Sequence, residues 1–487
     1  MHIQYGQRRR LGLPAFSAGS EPGAAPTSGN VPHETLQLDA ASAQQLAVEA
    51  FLYGYPLISD LTAVYGFVAQ GLEQLPASPF NTFSHATNLA RPEEAFVSIN
   101  NDTIYSISQL DLGAGPLVLH VPDTAGRYYV LQFIDAWTNN FAYVGRRATG
   151  TREGDYLITP PGWYGETPEG MTRISAPTGV VTIVGRFACQ GAEDIPAIKA
   201  LQSQLTVRPL QVSDAGVGST SKRAGAPQPD ARVPEDLRFW EQMRVWMHVF
   251  PPSQPEQAYQ QRFAALGLLA DSSPYVNPST PLADALRAGL QAGEQRLEQM
   301  IKEGSATKTG WAIMPHAFDY NLDFFEIGTI NSPEWKITDR EQAHRMRAMA
   351  AREGLWGNHG YEATYARISQ DATGQQLNGA HCYRITFTEL PPVEAFWSLT
   401  MYDVPNYYLV ANPIDRYSIG DRTPGLRYDD NGALTLWLQH DQPDDEAQRA
   451  NWLPAPAGDF RPLLRLYQPG QAILDGSYVL PPIERVH

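Results

Sequence analysis

The feature that most constrains this chain is a double change in hydrophobic period. From Asn101 to about Ala188, apolar residues recur every second position, as in "TIYSISQLDL", "RYYVLQFIDAW" and "VVTIVGRFAC". That is the pattern of short, half-buried strands, here separated by Gly, Pro, Asp and Asn. Between about 189 and 370 the spacing becomes helical, as in "PEDLRFWEQMRVWMHVF" and "TPLADALRAGLQAGEQRLEQMIKEG". From about Gln375 the period of two returns in "HCYRITF", "AFWSLTMYD" and "LTLWLQ". A chain of 487 residues is too long for one ordinary core, so two β units held apart by helices are expected. The fold class is α+β and β-rich, each β unit being a sandwich or a barrel. The expected boundaries are a flexible tail over 1–38, an N-terminal β domain with a leading helix over 39–190, a helical connection over 191–370, and a C-terminal β domain over 371–487.

The leading helix is expected from about Ser42, where Ser42-x-x-Gln45 matches a capping box, and Pro56 is expected to kink or end it. A second low-complexity stretch, "SDAGVGSTSKRAGAPQPDARVP", reads as a surface loop or linker.

The formal net charge of −16 disfavours nucleic acid and anionic membrane surfaces, both of which call for a basic face. No run approaches the roughly 18 apolar residues of a membrane-spanning helix. The expected compartment is accordingly soluble, periplasmic or cytoplasmic, with no recognisable export signal. Cys189 and Cys382 cannot form a Cys-rich zinc site and are expected to be free, buried thiols, the alternative being one long-range disulfide between them. Common signatures are missing: there is no G-x-S-x-G, no H-E-x-x-H and no G-x-x-x-x-G-K-[ST]. The eleven histidines include no H-x-H pair. No cofactor and no metal ligand set is therefore expected, although distant histidines converging on copper or iron would be invisible at this level.

Polar residues inside the first β block stand out. "NNDT" (Asn100 to Thr103) directly precedes an alternating strand, and Tyr105 follows within it. Along "RYYVLQFIDAW", Tyr128, Val130, Gln132 and Ile134 share one face, while Arg127, Tyr129, Leu131, Phe133 and Asp135 share the other. A buried Gln132 must find partners, because an unsatisfied amide costs about 1–3 kcal/mol. These residues form either a satisfied core network with Asx turns or the floor of a polar pocket.

Long stretches also resemble a known family. "AFLYGYPL", "NNDTIYS", "PLVLHVPDTAGRYYVLQFIDAWTNNFAYVGRRATG" and "GWYG" resemble the N-terminal domain of bacterial proteins classed as domain of unknown function (DUF) 1254. "LNGAHCYRITF", "PPVEAFWSLTMYD", "LVANPIDRYSIGDRT", "NWLPAPAGDFRPLLRLYQP" and "PPIERV" resemble the companion domain, DUF 1214. The resemblance spans about 44–486. It implies two jelly-roll-like β-sandwich domains connected by a helical middle segment, and homo-oligomers (dimer or tetramer). Its recurrent polar positions fall here on Asn101, Asp102, Thr103, Tyr105, Arg127, Tyr128, Asp135 and Asn139. They continue through Asn358, Tyr361, Glu362 and Tyr365 to Trp397, Tyr402, Asn412, Arg416, Asn451, Trp452 and Arg465. His359 has no assigned role.

The leading expectation is a cofactor-independent enzyme, a hydrolase or lyase, acting on a small neutral organic molecule. Asp102 or Glu362 would be the general base and Tyr105 or Tyr365 the proton donor, because a carboxylate desolvated beside phenols reaches a working pKa. Substrate contacts would come from Asn101, Arg127, Tyr128, Gln132, Asp135, Asn139, Asn358, Tyr361 and Trp397, with Arg127 holding any anionic group. The alternatives are a non-catalytic carbohydrate- or small-ligand-binding protein and a copper- or iron-dependent oxidoreductase. The expected partner is a small molecule, with no nucleic acid and no membrane.

Overall fold

A computed structural model describes residues 38–94, 98–211, 226–302 and 310–486. The expected tail, apart from Leu38, and most of the low-complexity linker lie outside the described residues. The chain is α+β, with four sheets arranged as two β-sandwiches and a helical segment between them.

In the N-terminal sandwich one sheet runs in the order β1 (Phe83–His85), β2 (Thr103–Asp111), β8 (Val180–Ala188), β4 (Tyr129–Asp135), β5 (Asn140–Gly145). The facing sheet runs β7 (Met171–Ser175), β6 (Gly154–Thr159), β3 (Leu117–Val121), β9 (Thr206–Pro209). Leu131, Phe133 and Phe187 from the first sheet share one apolar core with Leu117, Leu119 and Ile158 from the second. The alternation read from the sequence holds over most of β4: Tyr129, Leu131 and Phe133 fill the sandwich and Val130 and Gln132 face outward, while Ile134, past a register shift, joins the same core. β9 extends this domain past the expected boundary at 190.

The C-terminal sandwich repeats the plan. Its five-stranded sheet runs β10 (Ala312–Ile313), β11 (Ala363–Arg367), β17 (Leu463–Pro469), β13 (Val393–Thr400), β14 (Ser418–Gly420). Its four-stranded sheet runs β16 (Trp452–Pro454), β15 (Leu434–Gln439), β12 (Cys382–Phe387), β18 (Glu484–Val486). Trp397, Leu399, Leu464 and Leu466 meet Ile385, Leu436 and Leu438 in its core. β10 and β11 belong to this sheet although both precede the expected boundary at 371.

The helices are α1 (Ala40–Gln70), α2 (Ile195–Gln202), α3 (Arg238–Val249), α4 (Gln254–Gln260), α5 (Thr280–Lys302) and α6 (Arg340–Gly354), with two short ones, α7 (Glu446–Ala450) and α8 (Gln471–Leu474), in the C-terminal domain. α1 differs from expectation at both ends. Its N-cap is Asp39, whose carboxylate accepts the Ser42 N–H at 2.9 Å, and it continues past Pro56 to a length of 31 residues, so the proline does not end it. Proline inside a helix costs about 3 kcal/mol, and burial of the surrounding turn outweighs it. Tyr53, Tyr55, Leu57, Ile58 and Leu61 around Pro56 are all buried. The close partner is α5, where a Cβ on Gly289 would stand 2.2 Å from the Ala47 Cβ and one on Gly293 would stand 2.5 Å from the Phe51 ring. Those two glycines let the helices approach closely enough to bury α1.

Candidate functional site

The outward faces of the two five-stranded sheets meet and form a polar, aromatic seam between the domains. Strand register decides its contents. On the N-terminal sheet Tyr105 lies directly opposite Arg186, and on the C-terminal sheet Tyr365 lies directly opposite Arg465. Each domain therefore presents one cross-strand Tyr–Arg pair. Between them Phe396 stacks on Tyr467 at 4.1 Å, and Tyr128 meets both rings edge-on at 5.6 Å.

Asn100 and Asp102 plug the N-terminal domain into this seam. Asn100 Oδ1 accepts the backbone N–H groups of Asp102 (2.6 Å) and Thr103 (3.1 Å), a local turn that satisfies the donors at the start of β2. Its Nδ2 then donates across the interface to the Tyr467 hydroxyl at 2.8 Å. Asp102 Oδ2 accepts from Ser398 Oγ (2.6 Å) and the Tyr467 hydroxyl (3.3 Å), both in the other domain. Asn101 donates to the Ala90 carbonyl and accepts from Ser418 Oγ. The turn and the polar cluster are one object.

Glu362 is equally committed. Its Oε2 pairs with Arg147 Nε at 2.5 Å and its Oε1 accepts from the Tyr128 hydroxyl at 3.0 Å, with the carboxylate side chain only 1% exposed. Next to it His359 Nδ1 lies 3.0 Å from the hydroxyls of both Tyr143 and Tyr361. Burial, aided by the Arg147 charge, pushes the His359 imidazole down to about 3, so it is neutral at any working pH. Gln132 is fully used: Nε2 donates to Asn140 Oδ1 and the Gly357 carbonyl, and Oε1 accepts from Arg186.

Arg186 and Arg465 are each 1% exposed. Arg186 donates to Gln132 Oε1, Asn358 Oδ1 and the Trp356 carbonyl, with its guanidinium 5.4 Å from the Tyr105 ring centre. Arg465 donates to Thr400 Oγ1, the Ser98 carbonyl and the Tyr402 hydroxyl. Every one of these acceptors is neutral, so the two cations are held by dipoles and ring faces in place of ion pairs.

The seam brings together Asp102, Tyr105, Glu362 and Tyr365, along with Asn101, Tyr128, Gln132, Asn358 and Tyr361. It does not give those four one shared cavity. Tyr105 lines a space of about 30 Å³, whereas Tyr365 lines another of about 80 Å³. Arg127 is not free to hold a substrate anion, because Asp194 takes both its Nη atoms at 2.5 and 2.7 Å. Trp397 points the other way, into the C-terminal core, since Phe396 and Ser398 occupy the seam face of β13. Asp135 caps the turn at Trp137–Asn139 and is pushed up to about 6 by burial, while Asn139 accepts from Arg347. Both lie behind the seam and brace it. Cys189 is buried as expected, but Cys382 is exposed, and neither is in a disulfide.

Sequence reasoning missed Arg186, Ser398, Tyr467 and Arg147. A signal existed for the first: an arginine in the middle of the apolar run "VVTIVGRFAC" must either be buried with partners or break the strand. "LLRLYQ" repeats that signal at Arg465. Among the described residues no three His, Cys, Asp or Glu side chains gather as a metal-binding group, and no helix is long and apolar enough to cross a membrane.

Among solved structures, the chain is similar to the VPA0106 protein from Vibrio parahaemolyticus, with 24% identity and a TM-score of 0.69 over 91% of this chain and all of that one. That likeness establishes the shared fold. An uncharacterized protein from Burkholderia cenocepacia aligns at 10% identity and a TM-score of 0.41, over 92% of this chain and 94% of that one. No curated protein matches the chain. Residues 80–209 match the model described as protein of unknown function DUF1254, and residues 362–471 match the one described as protein of unknown function DUF1214. The two sandwiches and the seam between them are thus those of a member of the two-domain DUF1254/DUF1214 family.

Proposed function

We propose that the protein binds a small, mostly apolar, neutral organic molecule in the cleft between α6 and the edge of the C-terminal sheet. The observation that carries this reading is the composition of the cleft of about 80 Å³. Met314, Phe318, Met346, Met349 and Leu463 make adaptable apolar walls, and Tyr365, Glu353 and Arg367 supply the polar end. Glu353 and Arg367 stand 4.0 Å apart and offset each other's charge, which favours a neutral ligand over an ion. The enclosed space is about half the roughly 150 Å³ that holds a benzene ring in an engineered protein cavity. A ligand therefore fits only in part and extends past the exposed Met314 at the mouth.

Asp102 and Glu362 support catalysis less well than binding architecture, because both are buried, Glu362 spends both oxygens on structural donors and Asp102 spends its Oδ2 on two. A cofactor-independent hydrolase or lyase remains the second reading, with Glu353 in the role of base. Burial raises the Glu353 carboxyl above the ordinary glutamate range, against the pull of Arg367 and Arg461, and Tyr365 adjoins it. The dimer or tetramer implied by the family resemblance belongs to the same proposal and is read by light scattering.

The test is calorimetric titration with phenol, 1-hexanol and hexanoate against the wild type and Met349→Trp, which fills the cleft. The neutral pair should bind in preference to hexanoate, and Met349→Trp should lose that binding while keeping its thermal midpoint. Equal binding by Met349→Trp would refute the site. Turnover of a bound ester that Glu353→Gln abolishes would move the reading from binding to hydrolysis.

A further inference from the structure

The smaller cavity, about 30 Å³, has a different chemistry. It forms where the segment after α1 folds over the start of β2, and its polar lining is Glu73, Gln74, Asn88, Glu94, Asn100, Thr103 and Tyr105. No basic side chain lines it. Three buried oxygens in this lining have no hydrogen-bond partner of acceptable geometry: Glu94 Oε2, Thr103 Oγ1 and Tyr105 OH. Thr103 is 2% exposed and Tyr105 is 8% exposed, so bulk water does not serve them. The other Glu94 oxygen is already fixed by the Arg91 N–H at 2.8 Å and by Gln74 Nε2, which holds the carboxylate in place.

A carboxylate oxygen can only accept, whereas the Thr103 and Tyr105 hydroxyls can accept or donate, so Glu94 Oε2 sets the requirement for a donor. The volume is enough for a species the size of one water and too small for an organic ring. A divalent metal wants six or more oxygen ligands in this chemistry, and the cavity lining holds only two carboxylates, with apolar Leu72, Leu75 and Ile99 between. Glu94 Oε2, Thr103 Oγ1 and Tyr105 OH, the last shared with Arg186, offer up to three acceptors around one small space for the N–H groups of a primary ammonium. We infer that this cavity binds an ammonium ion or the ammonium head of a short alkylamine, with Glu94, Thr103 and Tyr105 as acceptors and Glu73 at the mouth.

Among charged groups facing the cavity, Glu73 and Glu94 favour a cation. The Arg186 guanidinium does not line the space but interacts with the Tyr105 hydroxyl as well as its ring, so Tyr105 is the weakest of the three acceptors. Desolvation first and the Glu94 charge second push the Glu73 carboxyl up to about 7, even though the residue is exposed over much of its surface. Cation affinity should then weaken as pH falls through 7 and Glu73 becomes neutral. The inference is independent of the cleft at Tyr365, so either can fail alone.

The test is calorimetric titration of the full chain with methylammonium, ammonium, potassium and tetramethylammonium chlorides at constant ionic strength and pH 8. Methylammonium and ammonium should bind, and tetramethylammonium, which has no N–H, should not. Glu94→Gln should weaken the apparent Kd about tenfold, the loss of one charge-assisted hydrogen bond, while the exposed control Glu169→Gln leaves it unchanged. Thr103→Val, nearly isosteric, gives the same readout with the fold checked by its thermal midpoint. Binding of potassium with equal strength, or binding unaltered in Glu94→Gln and Thr103→Val, would overturn the inference.

Discussion

Replacing Glu362 by Gln tests whether the seam is built to hold the domains together. The change keeps the side-chain volume and lets Tyr128 retain its acceptor, but it strips Arg147 of its counter-ion. Removing one partner of a buried pair costs about 3–5 kcal/mol, most of it from the stranded charge. Arg147 is 21% exposed and keeps the Gly328 carbonyl and the Tyr361 ring at 4.7 Å, so the low end, about 3 kcal/mol, is expected. The double replacement Arg147→Met with Glu362→Leu removes both charges and leaves the Tyr128 hydroxyl without its acceptor and the Gly328 carbonyl without its Arg147 donor. It should sit about 1–2 kcal/mol below the wild type, and so above the single variant. The assay is urea unfolding followed by tryptophan fluorescence and far-UV circular dichroism, with coincident curves required before free energies are compared. A Glu362→Gln protein within about 0.5 kcal/mol of wild type would refute the reasoning, as would a double variant weaker than the single one.

Other expectations follow the same logic. Ser398→Ala removes the 2.6 Å hydrogen bond to Asp102 and should cost about 1.5–3 kcal/mol in the same unfolding assay; an unchanged midpoint would count against Asp102 as an interdomain anchor. Gly360→Ala would place a Cβ 2.1 Å from the Pro315 carbonyl oxygen and should fail to give folded protein, whereas Gly458→Ala points into open space and should be neutral by thermal melting. With an aromatic disulfide reagent, one thiol per native chain should react at once, the exposed Cys382, and the second, Cys189, only after denaturant is added; two fast thiols would show that the Cys189 pocket is open.

Much of the architecture was legible because hydrophobic period survives any arrangement of the elements. Alternation over 103–112 and 127–137 predicted strands and helical spacing over 234–250 and 280–304 predicted helices, and β2, β4, α3 and α5 lie within those stretches. The "NNDT" turn was legible too, since an Asn side chain capping the N–H groups two and three residues on needs only local chain. Its reach into the other domain was not. Pro56 shows the opposite limit: local chemistry says stop, and the glycines of a helix more than 200 residues away decide otherwise by letting α5 close over α1.

Site residues divide along the same line. Residue type and neighbourhood marked Asp102 and Tyr105, the family resemblance added Glu362 and Tyr365, and folding brings the four into one seam. Which face each strand turns to that seam depends on register, and shifting the pattern by one residue exchanges the faces. Trp397 and Ser398 are adjacent in sequence, both fit a strand, and only packing sends the first into the C-terminal core and the second to Asp102. The sequence by itself determined the two β units, the helical link and a polar turn at the head of β2. Only the tertiary structure decided that Tyr105 faces Arg186, that Tyr365 faces Arg465, and that the two small cavities at their edges differ in chemistry, because those contacts join strands that no local pattern can align.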